Sequence, residues 1–258
     1  MAVKLGKTIA MNFSISDLNN FNTLFVGTKQ DAEINNMGGN LFFGDPSSYS
    51  PKVLDYVMKR FSIRSVLDVG AGLGDVSSYI HNTYHVPVIG MEGLDFNVAN
   101  ARYPLCQHDL TTGPFKCGPV DLCVSVEVAE HIDPKYVDNY IDTLVHGKYI
   151  LMTHALPGEN GDFHVNEQPS EYWVEKLKER GYGLLTLDTI ILRKLAASEE
   201  HVQTYYAKSG LLFGRLPVKL ESEIATDIGE TPSIYTQIHI VLHFQAHLKD
   251  EHLRTFPE

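Results

Sequence analysis

The segment 65–75, SVLDVGAGLGD, constrains the fold of this chain more than any other part of the sequence. Residues 65–69 form a short apolar run that predicts a buried strand, and a helix is predicted at 75–82. Glycines stand between them at Gly70, Gly72 and Gly74. Because glycine has no Cβ, it allows a sharp turn and a close approach of the backbone to a ligand. The segment therefore predicts a strand, turn and helix that bind a cofactor.

The kind of cofactor follows from position 75. A dinucleotide site needs a glycine there, where a pyrophosphate meets the start of the helix, but the residue is Asp75. A carboxylate repels phosphate, so a cationic cofactor without phosphates fits better. The segment resembles motif I of the class I S-adenosylmethionine-dependent methyltransferases. This resemblance implies that Asp68 and the three glycines contact the cofactor; the alternative is an ordinary glycine turn between a strand and a helix.

Strands and helices alternate along the rest of the chain. The other predicted strands are 86–91, 105–107, 122–126, 148–153, 184–192 and 210–213. This alternation predicts an α/β fold with an open, doubly wound, mostly parallel seven-stranded sheet, the Rossmann-like arrangement of class I methyltransferases. Ligands in such sheets bind beyond the carboxyl ends of the central strands.

Acidic residues follow the second and third predicted strands. Glu92 is placed to accept hydrogen bonds from both ribose hydroxyls of an adenosine cofactor; the alternative is a solvent-facing carboxylate. Asp109 resembles the acidic residue that the family places beside the adenine amino group, although Asp is also a common turn residue after a strand. Both residues are candidate cofactor contacts.

A second group of candidates follows the fourth predicted strand. Glu127, Glu130 and His131 form E-x-x-E-H, and in a helical turn these side chains share one face and converge on a single ion. His164 follows the fifth strand, which a parallel sheet places beside the fourth. Two carboxylates and two imidazoles suit a six-coordinate divalent metal with two open positions. Two adjacent hydroxyls of a substrate can fill those positions.

E-x-x-E-H with a later histidine resembles two methyltransferase groups, the enzymes that methylate the terminal ribose of small RNAs and the ubiquinone-biosynthesis O-methyltransferases. In the first group these residues hold Mg²⁺ or Mn²⁺, which also binds the ribose diol. The resemblance implies this role for Glu127, Glu130, His131 and His164. The alternative is a metal-free methyltransferase in which Glu127 lies near the cofactor and His164 or His131 is the catalytic base. His154 competes with His164 as the loop histidine.

A longer match, SVEVAEHI followed by GENGDFHVNEQPSEYW, is similar to bacterial and viral methyltransferases of unassigned substrate. This similarity extends over 65–213. Two aromatic pairs within it, Tyr172 with Trp173 and Tyr205 with Tyr206, either line an acceptor pocket or belong to the core. We interpret both pairs as core.

Charge bears on the acceptor. The formal net charge is −11, which disfavours the extended basic face that nucleic acid phosphates require. We therefore expect an O-methyltransferase for a small-molecule or glycan hydroxyl. Methylation of an RNA terminal ribose and a non-catalytic S-adenosylmethionine-binding module are the alternatives. Four potential ligands argue against the second alternative, since binding alone does not need them.

We expect three regions: an N-terminal extension at 1–50, the S-adenosylmethionine-binding domain at 51–216 and a C-terminal extension at 217–258. The C-terminal extension contains a run of alternating polar and apolar residues at 237–244, which suits an edge strand or a homodimer contact. Three cysteines without zinc spacing indicate a reduced, cytoplasmic protein. No apolar run reaches the length of a membrane span.

Overall fold

The structure of the protein is a computed structural model that describes residues 44–200 and 205–216. The run at 237–244, the C-terminal extension from 217 and most of the N-terminal extension lie outside the described residues. The proposed boundaries of the three regions stay predictions.

Seven strands form one sheet in the order β3-β2-β1-β4-β5-β7-β6. The strands are β1 Val66–Val69, β2 Val88–Glu92, β3 Leu105–Gln107, β4 Val120–Ser125, β5 Gly147–Met152, β6 Tyr182–Leu184 and β7 Leu211–Arg215. The first five strands pair in parallel, whereas β7 is antiparallel to both β5 and β6. This is the doubly wound, Rossmann-like sheet of class I methyltransferases, so the fold prediction is confirmed. The strand order reverses between β1 and β4, where such sheets bind ligands.

Seven α-helices accompany the sheet in the described part of the chain: α1 Pro51–Arg60, α2 Asp75–Tyr84, α3 Asp95–Asn100, α4 Val137–Leu144, α5 Ser170–Lys178, α6 Thr186–Ala197 and α7 Tyr205–Ser209. Proline at the first position of α1 suits a helix start, because its fixed φ is helical and its missing N–H has no intrahelical partner there. None of these helices is both long and apolar enough to cross a membrane.

The core has a layer on each face of the sheet. Side chains of β1 alternate between the layers, with Leu67 and Val69 on one face and Val66 on the other, as the period of a strand requires. Helices α4 and α5 cover the first layer, and α1, α2 and α6 cover the second. Burial on both faces leaves the carboxyl ends of the strands as the edge at which polar side chains collect.

The predicted sixth strand at 184–192 is wrong. Strand β6 ends at Leu184, and α6 begins at Thr186. The β-branched side chains in this run favour a strand locally, but burial follows helical spacing instead. The buried residues of the helix are Thr186, Asp188, Thr189, Leu192, Arg193 and Ala196.

Candidate active site

The glycine loop after β1 adopts backbone that suits glycine. Gly70, Gly72 and Gly74 have φ of +70°, +57° and +80°, the left-handed region in which a Cβ is unfavourable. A Cβ on Gly70 would lie 2.3 Å from Cγ2 of Val128, whereas a Cβ on Gly72 would meet no described atom beyond its chain neighbours within 4 Å. The loop is therefore packed at its start and open at its middle, where a ligand has room.

Asp68 links the strand before this loop to the helix after it. The side chain is buried at the end of β1, and its Oδ2 accepts a hydrogen bond of 2.6 Å from the hydroxyl of Ser77 in α2. Burial raises the pKa of Asp68 to about 6. The bond ties strand to helix on either side of the loop. Direct contact between Asp68 and a cofactor stays a prediction.

Glu92 is the last residue of β2 and reaches across to the glycine loop. Its Oε2 accepts the N–H of Gly72 at 2.8 Å, and its Oε1 accepts the N–H groups of Gly93 and Leu94 at 2.9 Å. Only 7% of the residue is exposed, so it is not a solvent-facing carboxylate. Burial raises the pKa of Glu92, against the effect of the three amides. The carboxylate thus lies beside the open part of the loop.

Asp109 follows β3 and caps the 3₁₀ helix Leu110–Thr112. Its Oδ1 accepts the N–H of Thr111 at 2.8 Å. This is the turn role that the sequence left open. A contact with an adenine ring stays a prediction.

Glu127 begins the E-x-x-E-H segment with strained backbone. Its φ is +53°, which is uncommon for a residue with a side chain and costs free energy unless neighbouring contacts hold it. Thr153, after β5, holds it in place: Glu127 N–H donates to Thr153 Oγ1 at 2.9 Å, and that hydroxyl donates to Glu127 Oε1 at 2.8 Å. The carboxylate is therefore fixed beyond β4 and β5.

Glu130, His131 and His164 come together next to it. Glu130 and His131 belong to the 3₁₀ helix Ala129–His131, and one ligand atom from each of the three residues lies within 4.8 Å of the others. Glu127 is outside this group of three. Glu130 is fully buried, and neither carboxylate oxygen makes a hydrogen bond of ordinary geometry to a described residue. The carboxyl of Glu127 and the N–H of Ala155 are its polar neighbours. Burial and the charge of Glu127 hold the pKa of Glu130 well above its usual range.

Backbone hydrogen bonds bring His164 to this place. The carbonyl of Glu130 accepts the N–H groups of Val165 and Asn166 at 2.9 and 3.0 Å. These bonds join the loop after β5 to the 3₁₀ helix after β4. The rings of His131 and His164 consequently lie with centroids 4.9 Å apart, in an edge-to-face arrangement.

Each histidine of the group has one nitrogen engaged. His131 Nδ1 is 3.2 Å from the carbonyl of Phe163, and His164 Nδ1 is 2.8 Å from Oε1 of Glu167. Burial lowers the pKa of His131. In both rings Nε2 is therefore the nitrogen left for a ligand.

His154 does not join this group. It is buried, with Nδ1 3.0 Å from the carbonyl of Ala155 and Nε2 3.1 Å from the hydroxyl of Ser170. Burial lowers the pKa of His154 to about 4. A neutral ring with both nitrogens engaged is a core histidine, and the structure therefore favours His164 as the loop histidine.

Two tyrosines that we interpreted as core lie near these carboxylates. Tyr206 in α7 is fully buried, and its hydroxyl has no partner in the described part of the chain. Burial and the charges of Asp68 and Glu127 raise the pKa of Tyr206. Tyr205 is half-buried, and burial and the nearby charge of Asp45 raise its pKa, with smaller effects from Glu127 and Glu130. No spacing in the sequence indicates this placement, because it depends on the reversed direction of β7.

Comparisons with known proteins reach only part of the chain. No family model matches it. The cyclopropane-fatty-acyl-phospholipid synthase of Escherichia coli K12 is 27% identical over 124 residues, covering 42% of this chain and 30% of that protein. The chain thus matches less than a third of the length of this curated relative.

Solved structures with a similar fold include two methyltransferases. The methyltransferase domain of bacterial CtHen1 has a TM-score of 0.42 and 18% identity, covering 51% of this chain and 84% of that domain. An O-methyltransferase from a trans-AT polyketide synthase of Brevibacillus brevis, in complex with S-adenosylhomocysteine, has a TM-score of 0.47 and 16% identity, covering 80% of this chain and 84% of that chain.

Proposed function

We propose that this chain is an S-adenosylmethionine-dependent O-methyltransferase that acts on a hydroxyl of a small or saccharide acceptor with the help of Mg²⁺ or Mn²⁺. The observation that carries the proposal is Glu130. Both of its carboxylate oxygens are buried without a hydrogen bond of ordinary geometry to a described residue, beside two imidazoles. A buried carboxyl group is stabilised by protonation, by pairing or by a cation, and two imidazoles beside it favour a cation. Val128, two residues before Glu130, packs against Gly70 of the predicted cofactor loop.

The cofactor half of the proposal depends on the glycine loop and Glu92. The open space at Gly72 gives the methionine and ribose parts of S-adenosylmethionine room to approach the backbone. A carboxylate has about four lone-pair sites, and Glu92 uses three of them on backbone amides. The side chain of Asn97 also donates to this carboxylate. We infer that ribose hydroxyls bind by displacing one of these donors. Asp109 is proposed for the adenine end.

The donor atoms of the proposed metal site suit a divalent cation. Glu127 and Glu130 supply oxygen, and His131 and His164 supply nitrogen, a set compatible with a hard or borderline ion such as Mg²⁺ or Mn²⁺. The chemistry that a bound ion supplies here is Lewis acidity, which lowers the pKa of an acceptor hydroxyl. The protein itself contributes fixed side chains: Thr153 holds Glu127, and Phe163 and Glu167 orient the imidazoles.

The proposed reaction moves one methyl group. The acceptor oxygen forms a bond to the methyl carbon while the bond from that carbon to the sulfonium sulfur breaks. The products are a methyl ether, S-adenosylhomocysteine and one proton. Holding the oxygen in line with the methyl group supplies much of the rate acceleration. With the ion bound, the proton passes to solvent. In the metal-free alternative His131 or His164 is the candidate acceptor for the proton, and burial lowers the pKa of His131, which favours its neutral form.

The acceptor class is inferred from charge and from the donor count. The three ligands that lie together, with Glu127 proposed as the fourth, would leave two positions of a six-coordinate ion, which suits two adjacent hydroxyls. A net charge of −11 favours an uncharged sugar or a small diol over a polyanion.

The test is methyl transfer from labelled S-adenosylmethionine to paired acceptors: sugars with vicinal hydroxyls, their deoxy analogues and catechols, each with Mn²⁺ and with a chelator. We expect labelled ethers from the diols, little from the deoxy analogues and loss of activity with the chelator. Glu130→Gln should abolish transfer, whereas Glu175→Gln, on the exposed face of α5, should not. Methylation of nitrogen acceptors alone would contradict the proposal.

Two further arms address the alternatives. Salt-dependent binding and terminal methylation of a short RNA would favour the RNA ribose function. Binding of S-adenosylmethionine without consumption of it by any acceptor would favour a non-catalytic module. Calorimetry with Mg²⁺ and Mn²⁺ on the wild type and on His164→Ala, in the presence of S-adenosylhomocysteine, tests the metal directly.

A further inference from the structure

Glu167 makes three contacts with the loop that carries His164. Its Oε1 lies 2.8 Å from His164 Nδ1 and accepts the N–H of Asn160 at 2.7 Å. Its Oε2 accepts the N–H of Gly158 at 2.8 Å. One carboxylate therefore fixes both the backbone of the loop and the ring of a candidate metal ligand.

The short contact with His164 determines where the ring carries its proton. An ionised carboxylate only accepts hydrogen bonds, so a separation of 2.8 Å requires a hydrogen on Nδ1. The N–H of Gly161 also approaches Nδ1, at the longer distance of 3.2 Å, but it competes for the same nitrogen and cannot bond to a protonated Nδ1. With the proton on Nδ1, the lone pair of a neutral ring is on Nε2.

His131 has the same arrangement with a different partner. Its Nδ1 faces the carbonyl oxygen of Phe163 at 3.2 Å, which also accepts and does not donate. Both rings of the group therefore present Nε2. Metal-binding histidines usually have their second nitrogen hydrogen-bonded to a carboxylate or a carbonyl in this way.

The ring of His164 also has little room to turn. A Cβ on Gly161 would lie 2.2 Å from Cε1 and 2.3 Å from Nε2 of His164. The backbone of Gly161 thus packs directly against the ring on one side, and Glu167 holds Nδ1. Together these contacts allow one ring orientation.

We propose that Glu167 is a positioning residue that fixes the Nδ1–H tautomer and the orientation of His164, so that Nε2 is available to the ion bound with Glu130 and His131. The proposal rests on the proposed metal-assisted function and adds a residue to it. Loss of such a partner typically weakens metal affinity by about 10- to 100-fold.

The experiment compares Glu167→Ala and Glu167→Gln with the wild type and with the control Glu175→Ala. Within the described residues the Glu175 carboxylate bonds to Lys178 on the surface of α5. Three quantities are measured: the Kd for Mn²⁺ in the presence of S-adenosylhomocysteine, the Kd for S-adenosylhomocysteine, and the ¹⁵N chemical shifts of the His164 ring in metal-free protein at neutral pH.

We expect Glu167→Ala to weaken Mn²⁺ binding by about 10- to 100-fold and to shift the His164 spectrum from the Nδ1–H form to a mixture. Its Kd for S-adenosylhomocysteine should equal that of the wild type, which shows that the variant is folded. The Mn²⁺ affinity of Glu167→Gln should lie between those of the wild type and Glu167→Ala, because its amide oxygen still accepts a hydrogen bond from His164 Nδ1. The control should match the wild type in all three.

Wild-type Mn²⁺ affinity in Glu167→Ala, or a wild-type His164 that carries its proton on Nε2, would overturn the proposal. If the wild type binds no Mn²⁺, the metal part of the proposed function fails, and the ¹⁵N spectra then decide alone. A spectrum unchanged in Glu167→Ala would reject the positioning role, and a changed one would support it.

Discussion

Glu92 connects the glycine loop to the end of β2 through the N–H groups of Gly72, Gly93 and Leu94. Hydrogen bonds to a charged group contribute about 1.5 to 3 kcal/mol each. We therefore expect Glu92→Gln to weaken S-adenosylhomocysteine binding by about 10- to 100-fold, as measured by calorimetry. Glu175→Gln is the control of equal chemistry. An unchanged affinity in Glu92→Gln would remove Glu92 from the cofactor site.

Gly70 and Gly72 share left-handed backbone but differ in their surroundings. Alanine at either position costs about 1 to 2 kcal/mol of strain. At Gly70 its Cβ also overlaps Val128, which adds about 1 to 3 kcal/mol. We expect Gly70→Ala to lower the free energy of unfolding more than Gly72→Ala does.

For cofactor binding we expect the opposite order: Gly72→Ala should lose more affinity than Gly70→Ala. The Cβ of Gly72→Ala enters the open space at the middle of the loop, so its affinity for S-adenosylhomocysteine should fall beyond what the lost stability explains. Urea unfolding and calorimetry on both variants check the two orders. The same order in both measurements would contradict a ligand site at Gly72.

At the scale of elements, the loop after β5 depends on Gly161. Its backbone needs no left-handed φ, so the overlap of a Cβ with the His164 ring is the main cost of Gly161→Ala. We expect this variant to weaken Mn²⁺ binding in the presence of S-adenosylhomocysteine by about tenfold or more, measured by calorimetry. Gly118→Ala is the matched control, because a Cβ there meets no described atom within 4 Å. Equal Mn²⁺ affinities would show that the ring has room to move.

The sequence predicted strands and helices well where a local pattern of apolar residues and glycines was clear. The glycines after the apolar run at 65–69 are a local signal, and the strand, turn and helix around them formed as predicted. Residues 184–192 gave the wrong prediction, because β-branched side chains such as Thr189 and Ile190 favour a strand while the sheet had no place for a longer one. Packing of α6 against α1 decided its structure.

The candidate site shows the same limit. Helical spacing and sheet topology predicted that Glu127, Glu130, His131 and His164 converge. The structure brings the last three together and leaves Glu127 outside, because its positive φ takes it out of a helical turn. Spacing did not indicate the contact between Glu167 and His164, the positive φ of Glu127 or the approach of Tyr205. Each of these depends on how separate loops close over the sheet.

At the scale of the whole molecule, two buried groups give opposite pH dependence. The pKa of Asp68 is raised from 3.8 to about 6, so the folded state binds more protons than the unfolded state, and stability falls as pH rises from about 4 to 6. The pKa of His154 is lowered from 6.5 to about 4, so stability rises over nearly the same range.

The substitution Asp68→Asn should remove the fall in stability between about pH 4 and pH 6. We expect the difference in free energy of unfolding, wild type minus variant, to decrease by about 2 kcal/mol between pH 4 and pH 7. Urea unfolding at several pH values measures this difference. A difference that is constant with pH would mean that Asp68 is ionised at pH 4 in the folded protein.

Strand β7 runs opposite to its neighbours, and the chain therefore enters it at the edge where β1, β4 and β5 end. Helix α7 occupies that entry, and Lys208 within it pairs with Glu159 in the loop of His164. The segment beside the loop of His164 is thus separate in sequence from the glycine loop. Tyr205 and Lys208 can therefore be varied without a change in the glycine loop, whereas Tyr206, Ala207 and Ser209 between and after them are buried.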